Sequence, residues 1–90
     1  MDENRYSVSL TPAAQRSLRR LDRPVQRRLL DAIEALGADP RPHGAEALQG
    51  AHRLLRVRVG DYRVVYAVRD DQLLVLVVTL GHRGDVYRAL

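Results

Sequence analysis

The apolar positions of this chain keep time with a strand, then two helices, then strands again. Tyr6, Val8 and Leu10 alternate with Ser7 and Ser9, the two-residue repeat of a half-buried strand, which predicts a strand over Arg5 to Leu10. Thr11-Pro12 follows, an N-cap residue and a proline suited to the first helical position. Behind it Ala14, Leu18 and Leu21 recur at helical spacing, with Arg16, Arg19, Arg20 and Arg23 on the wet side. Pro24 marks a break near the first turn of a second helix. Its stripe of Val25, Leu29, Ile33 and Leu36 runs to a stop at Gly37. Two helices joined this closely predict an antiparallel αα-hairpin.

After Gly37 the segment Ala38 to Gly44, with Pro40 and Pro42, fits neither helix nor central strand. From Arg53 the period returns to two. Leu55, Val57 and Val59 alternate with Leu54, Arg56 and Arg58, and Gly60-Asp61 supplies turn chemistry. Tyr62 to Arg69 reads as a strand rich in Val and Tyr, and Asp70-Asp71 as another turn. Leu73 to Leu80 is apolar almost without interruption, which predicts a strand buried on both faces. The order β-α-α-β-β-β, with a short tail from Gly84 to Leu90, predicts one α+β domain over residues 1–90. Its sheet is expected to be antiparallel, with the helical hairpin packed on one face.

Composition narrows the function classes. The 90 residues contain no cysteine, which removes disulfides, thiolate nucleophiles and zinc-thiolate sites. The polar start Met1 to Arg5 has no apolar signal region, and the run Leu73 to Val78 falls far short of the ~20 residues of a membrane helix. A soluble, cytoplasmic protein that binds no membrane is the expectation. The formal charge is +4, and all 15 basic residues are arginine. Arginine stays charged and forks onto phosphate or carboxylate, although a preference for arginine codons explains the missing lysine equally well. Residues 51–90 hold seven arginines against four acids, so most of the excess lies there.

Arg56 and Arg58 share a strand face, because Leu55, Val57 and Val59 claim the other for the core. With Arg63 on the next strand of a tight hairpin, three guanidiniums line one side of the sheet. Crowded like charge costs stability unless an anion or an acid compensates. The alternatives are an anion site and a solvated face with Asp61 and Asp70 as partners. Gly81-His82-Arg83-Gly84 follows the most apolar strand, where loops carry function on small folds. His82 is a candidate acid or base, or a solvated loop histidine. Tyr87 is a candidate phosphate donor or base-stacking ring, or an anchor for the tail. His43, His52 and His82 lack metal spacing, and no nucleotide-binding or nucleophile-elbow motif is present. These residues suit binding or cleavage of RNA by arginine electrostatics, without a metal or other cofactor.

Two runs, Leu55-Arg56-Val57-Arg58-Val59-Gly60-Asp61-Tyr62-Arg63-Val64-Val65-Tyr66 and Leu80-Gly81-His82-Arg83-Gly84-Asp85-Val86-Tyr87, resemble the RelE toxins of the RelE/ParE toxin-antitoxin superfamily. The resemblance extends over nearly the whole chain, including Leu48-Gln49-Gly50 at the end of the central loop. It implies a fold like a microbial RNase core, a cognate antitoxin, and metal-independent cleavage of mRNA in the ribosomal A site by attack of the 2′-OH. Operator DNA would be met only through the antitoxin. By position, the resemblance assigns the site to Arg56, Arg58, Arg63, Arg83 and Tyr87. Well-known members carry lysine where this chain has Arg56 and Arg58, and often at His82, so proton transfer is expected to have moved toward His82. Two other outcomes fit the same superfamily: a ParE-like inhibitor of DNA gyrase, and an inactive toxin fold that only binds its antitoxin as a corepressor.

Overall fold

The computed structural model describes residues 5–48 and 53–84. The elements are β1 (Ser7–Leu10), α1 (Pro12–Arg19), α2 (Arg23–Ala38), β2 (Glu46–Ala47), β3 (Leu54–Val59), β4 (Tyr62–Arg69), a single 3-10 turn (Asp70–Gln72) and β5 (Leu74–His82). They form an α+β fold in which both helices cover one face of a five-stranded sheet ordered β1-β5-β4-β3-β2. No helix among the described residues is long and apolar enough to cross a membrane.

The helical hairpin starts where Thr11 serves two neighbours at once. Its Oγ1 accepts from the Ala14 N–H at 3.1 Å, capping α1, and donates to the Val78 carbonyl at 2.6 Å, tying that cap to β5. Gln26 closes the elbow, because its Nε2 donates to the Leu21 carbonyl at 2.7 Å and to that of Arg19 at 3.3 Å. Helix α2 runs through Gly37 to Ala38, one residue beyond the expected stop. Gly37 is needed as a contact rather than as a terminator. Its carbonyl accepts from the Tyr6 N–H at 2.8 Å, and a Cβ there would lie 2.9 Å from the Tyr6 carbonyl oxygen.

The sheet departs from the expected all-antiparallel arrangement at one pair. β1 runs parallel to β5, with Ser7 opposite Leu74 and Leu10 opposite Val77, while the other pairs are antiparallel. Local alternation sets which face a strand buries, not which edge it joins, so the direction of β1 was invisible in its pattern. Because β5 is paired on both edges, the most apolar strand lies inside the sheet. Leu73 belongs to the preceding turn in a left-handed conformation (φ 49°) rather than to β5, and the strand instead continues to His82. Glu46–Ala47 pairs with β3 as a two-residue edge strand that the sequence pattern did not announce.

The core lies between the hairpin and the sheet. Leu29, Ile33 and Leu36 from α2 and Ala14 from α1 meet Val64, Tyr66, Val75, Val77 and Leu80. Tyr66 is completely buried yet satisfied, since its hydroxyl donates to the Pro40 carbonyl at 2.7 Å. Burial pushes that phenol up to about 12. On the opposite face of β5 only Thr79 is buried, while Leu74, Leu76 and Val78 are half-covered, so burial on both faces is partial.

Candidate active site

The β3–β4 hairpin aims the arginines. Val59 pairs with Tyr62 across a two-residue loop, and Gly60 takes φ 61° at its first position, as a type II′ turn requires. This tight turn fixes the register, so that Arg58 stands directly opposite Arg63 and Arg56 opposite Val65. Leu55, Val57 and Val59 pack toward the core, so the three arginines project from the face that the helices leave open.

There they line a hollow of about 120 Å³ together with Gly44 and Glu46. Arg56 is bonded to Glu46, with Nη2 2.9 Å from Oε2. Arg58 donates through Nε to the Gly60 carbonyl at 3.2 Å. Arg63 is different. Its Nη1 is buried and, among the described residues, has no hydrogen-bond partner. An unpaired guanidinium nitrogen shut away from water is costly, and an anionic oxygen is the group that would satisfy it.

Glu46 is the residue that sequence reading missed. It precedes an unpatterned stretch, and only the pairing of β2 with β3, which sets Glu46 against Arg56, brings it into the hollow. The hydrogen bond and charge of Arg56, and then the charge of Arg63, hold its carboxyl below the usual carboxylate range. Of the expected acidic partners, Asp70 is engaged elsewhere, and Asp61 forms no salt bridge among the described residues. Asp70 accepts two bonds from Arg41, at 2.8 and 3.1 Å, and one from the Tyr6 hydroxyl at 2.6 Å. The Asp61 carbonyl accepts from the Arg83 N–H at 3.0 Å.

The other candidates divide. Gly81 pairs with Arg63, so strand alternation carried one step past β5 sets Arg83, an exposed turn residue, on the arginine side. His82 pairs with Tyr62, and their rings meet edge to face at 5.7 Å. Tyr62 packs against the core, so His82 stands across the sheet from the three arginines. Tyr87 lies outside the described residues. At the far end of the open face, Leu54, Ala67, Leu76 and Val78 line a second hollow of about 640 Å³, together with Arg53, Arg69, Asp71 and the paired Arg41 and Asp70.

Comparisons with known proteins agree with this architecture. The family model for the ParE toxin of type II toxin-antitoxin systems matches residues 8–87. Toxin RelE of Mycobacterium tuberculosis is 31% identical over 88 residues, covering 97% of this chain and 91% of the relative. Toxin RelG of the same organism is 27% identical over 84 residues, covering 92% and 97%. Among solved structures, the RelE-RelB complex from Pyrococcus horikoshii matches with TM-score 0.76 and 30% identity over 88% of this chain and 96% of the other. The RelBE2 toxin-antitoxin complex from Mycobacterium tuberculosis matches in fold with TM-score 0.79 at 24% identity, covering 93% and 98%. A helical hairpin on a mixed five-stranded sheet is thus a fold shared with solved RelE toxins. The chain belongs to the RelE/ParE toxin superfamily.

Proposed function

We propose that this toxin is a ribosome-dependent mRNA interferase whose reacting phosphate sits in the Arg56–Arg58–Arg63 hollow. The observation that carries the reading is the buried Nη1 of Arg63, without a partner among the described residues, in a residue that lines one hollow with Arg56 and Arg58. RNA supplies its own nucleophile: the 2′-OH attacks the adjacent phosphorus, forming a 2′,3′-cyclic phosphate and releasing a 5′-OH. The protein must stabilise the extra negative charge on the phosphorane, and fixed guanidiniums do so without reorganising. Arg83, in the turn after β5, adds a further donor.

Proton transfer is assigned to the open face as well. Glu46 is the carboxylate of the hollow, and it is a weak base while Arg56 holds it. A phosphate bound to Arg56 displaces Glu46 and removes the bond that keeps its pKa low, so the same event that seats substrate readies the base. His82, across the sheet, takes no part in this step. Arginine at positions 56 and 58 means that these residues hold charge and do not shuttle protons.

The cognate antitoxin is proposed to seat an amphipathic segment in the larger hollow, its apolar side on Leu54, Ala67, Leu76 and Val78 and its acidic side toward Arg53 and Arg69, which form no salt bridge among the described residues. The structural relatives from Mycobacterium tuberculosis and Pyrococcus horikoshii were solved as toxin-antitoxin complexes. A gyrase-directed reading draws on the ParE family model, but it gives the unpartnered Arg63 nitrogen no role.

Translation in extract with primer extension on the message, beside a gyrase supercoiling assay, decides between the two. Cuts that appear only on ribosome-bound message, with normal supercoiling, are expected. Loss of supercoiling without cuts would replace the nuclease reading with the gyrase one. Silence in both assays would leave an antitoxin-binding corepressor.

A further inference from the structure

A second concentration of positive charge lies away from the open face. Residues 16–28, the elbow between α1 and α2, contain Arg16, Arg19, Arg20, Arg23, Arg27 and Arg28 against one acid, Asp22. All six arginines are exposed, and among the described residues none forms a salt bridge. The rest of α2 carries only acids, Asp31 and Glu34.

Helix stability explains only part of this layout: Arg16 and Arg19 lie in the last turn of α1, where the dipole favours cations, but the arginines of α2 do not. The helix dipole favours acids in the first turn and cations in the last, yet α2 begins with Arg23 and has no acid in its first turn and no base in its last. Arg16 with Arg19 and Arg23 with Arg27 also place like charges one turn apart, which destabilises a helix. Arginines kept at the start of α2 against its dipole, in a cluster with no salt bridge among the described residues, point to a ligand. The elbow also has no apolar anchor of the kind protein interfaces use at their centres, because the exposed large apolar residue of α2, Leu30, lies beyond it. Arg28 extends the charge toward the hollow. Its Nη1 would lie 3.2 Å from a Cβ built at Gly60, the same residue whose carbonyl accepts from Arg58.

Resting on the nuclease reading above, we infer that the α1–α2 elbow grips the sugar-phosphate backbone of folded ribosomal RNA, separately from the hollow that holds the scissile phosphate. The elbow supplies affinity, and Arg28 leads from it round the Gly60 turn to Arg58. Arginines that contact backbone phosphate give binding that falls steeply with salt and is indifferent to sequence.

The test compares purified toxin with its Arg20→Gln/Arg23→Gln/Arg27→Gln variant for binding to vacant ribosomes over a range of salt concentrations. The variant should bind roughly tenfold more weakly at low salt, with the slope of log affinity against log salt reduced by about 2. Its melting temperature should hold or rise, and its cleavage rate at saturating ribosomes should match wild type. The corresponding triple lysine variant, which keeps the charge, should retain most of the slope and so separates charge from folding. Unchanged affinity and slope in the glutamine variant, with wild type still cutting message, overturns the elbow alone. A variant that instead loses affinity for its antitoxin, and binds ribosomes normally, makes the elbow a protein surface and overturns it too. Elbow-dependent ribosome binding by a wild-type protein that never cuts message supports the elbow and contradicts the nuclease reading.

Discussion

The two faces of the sheet are made from the same strands, with opposite results. On the helix side, Leu29, Ile33 and Leu36 close over Val64, Tyr66, Val75 and Val77, and the one phenol buried there donates to a backbone carbonyl. On the open side, Arg58 faces Arg63 directly and a buried guanidinium nitrogen has no partner among the described residues. The first arrangement gains from every atom it hides. The second gives up stability by setting Arg58 against Arg63 and leaving that nitrogen unpaired, and it differs by a single residue of alternation along β3 and β4. A fold of this size can place a stabilising surface and a reactive one back to back because strand side chains switch faces at every step.

The contrast predicts which substitutions act on folding and which on chemistry. The largest effect on folding belongs to Leu29→Ala, which opens a cavity in the closed face and should cost about 2–5 kcal/mol in denaturant melts, with cleavage per folded molecule unchanged. Glu46→Gln acts on the open face alone. It should slow cleavage roughly 10²-fold while tightening substrate binding, since the amide no longer competes as an anion for Arg56; single-turnover rates and KM measured together would reveal the split.

A smaller effect comes from the clasp of Asp70 with Arg41 and Tyr6. The hydrogen bonds from Arg41 and then Tyr6 hold the Asp70 carboxyl down to about 2. Its folded pKa lies below the unfolded value, so its contribution is present above about pH 4 and disappears as the pH falls toward 2. Thermal melts should show this acid loss in wild type and a shallower one in Asp70→Asn. The mildest expectation is for Leu73→Gly. A left-handed leucine is strained, so glycine there should leave stability level or raise it by up to about 1 kcal/mol in melts.

Much of this was legible in the chain. Alternation and helical spacing located β1, the hairpin and the three long strands, and the same alternation put Arg56, Arg58 and Arg63 on one face. What escaped depends on contacts between distant segments. The parallel pairing of β1 with β5 is a choice of edge, and Ser7 to Leu10 carry no mark of it. Glu46 enters the hollow through two residues of pairing, too few to produce a period. His82 was a candidate acid or base in the loop after the most apolar strand, whereas it ends β5, where neighbours point to opposite faces, and its ring meets Tyr62.

The claim that the open face is a phosphate site turns on Arg63, and one paired measurement tests it: single-turnover cleavage on programmed ribosomes beside thermal melts, for wild type, Arg63→Ala and Arg63→Lys. Loss of a preorganised donor to the phosphorane should cost Arg63→Ala on the order of 10²–10³ in rate, with stability unchanged or improved because a buried unpaired nitrogen is gone. Arg63→Lys should recover part of the rate, since an ammonium keeps the charge but not the planar fork. An Arg63→Ala protein that cuts at the wild-type rate, or one whose activity falls only in step with its melting temperature, would contradict the assignment.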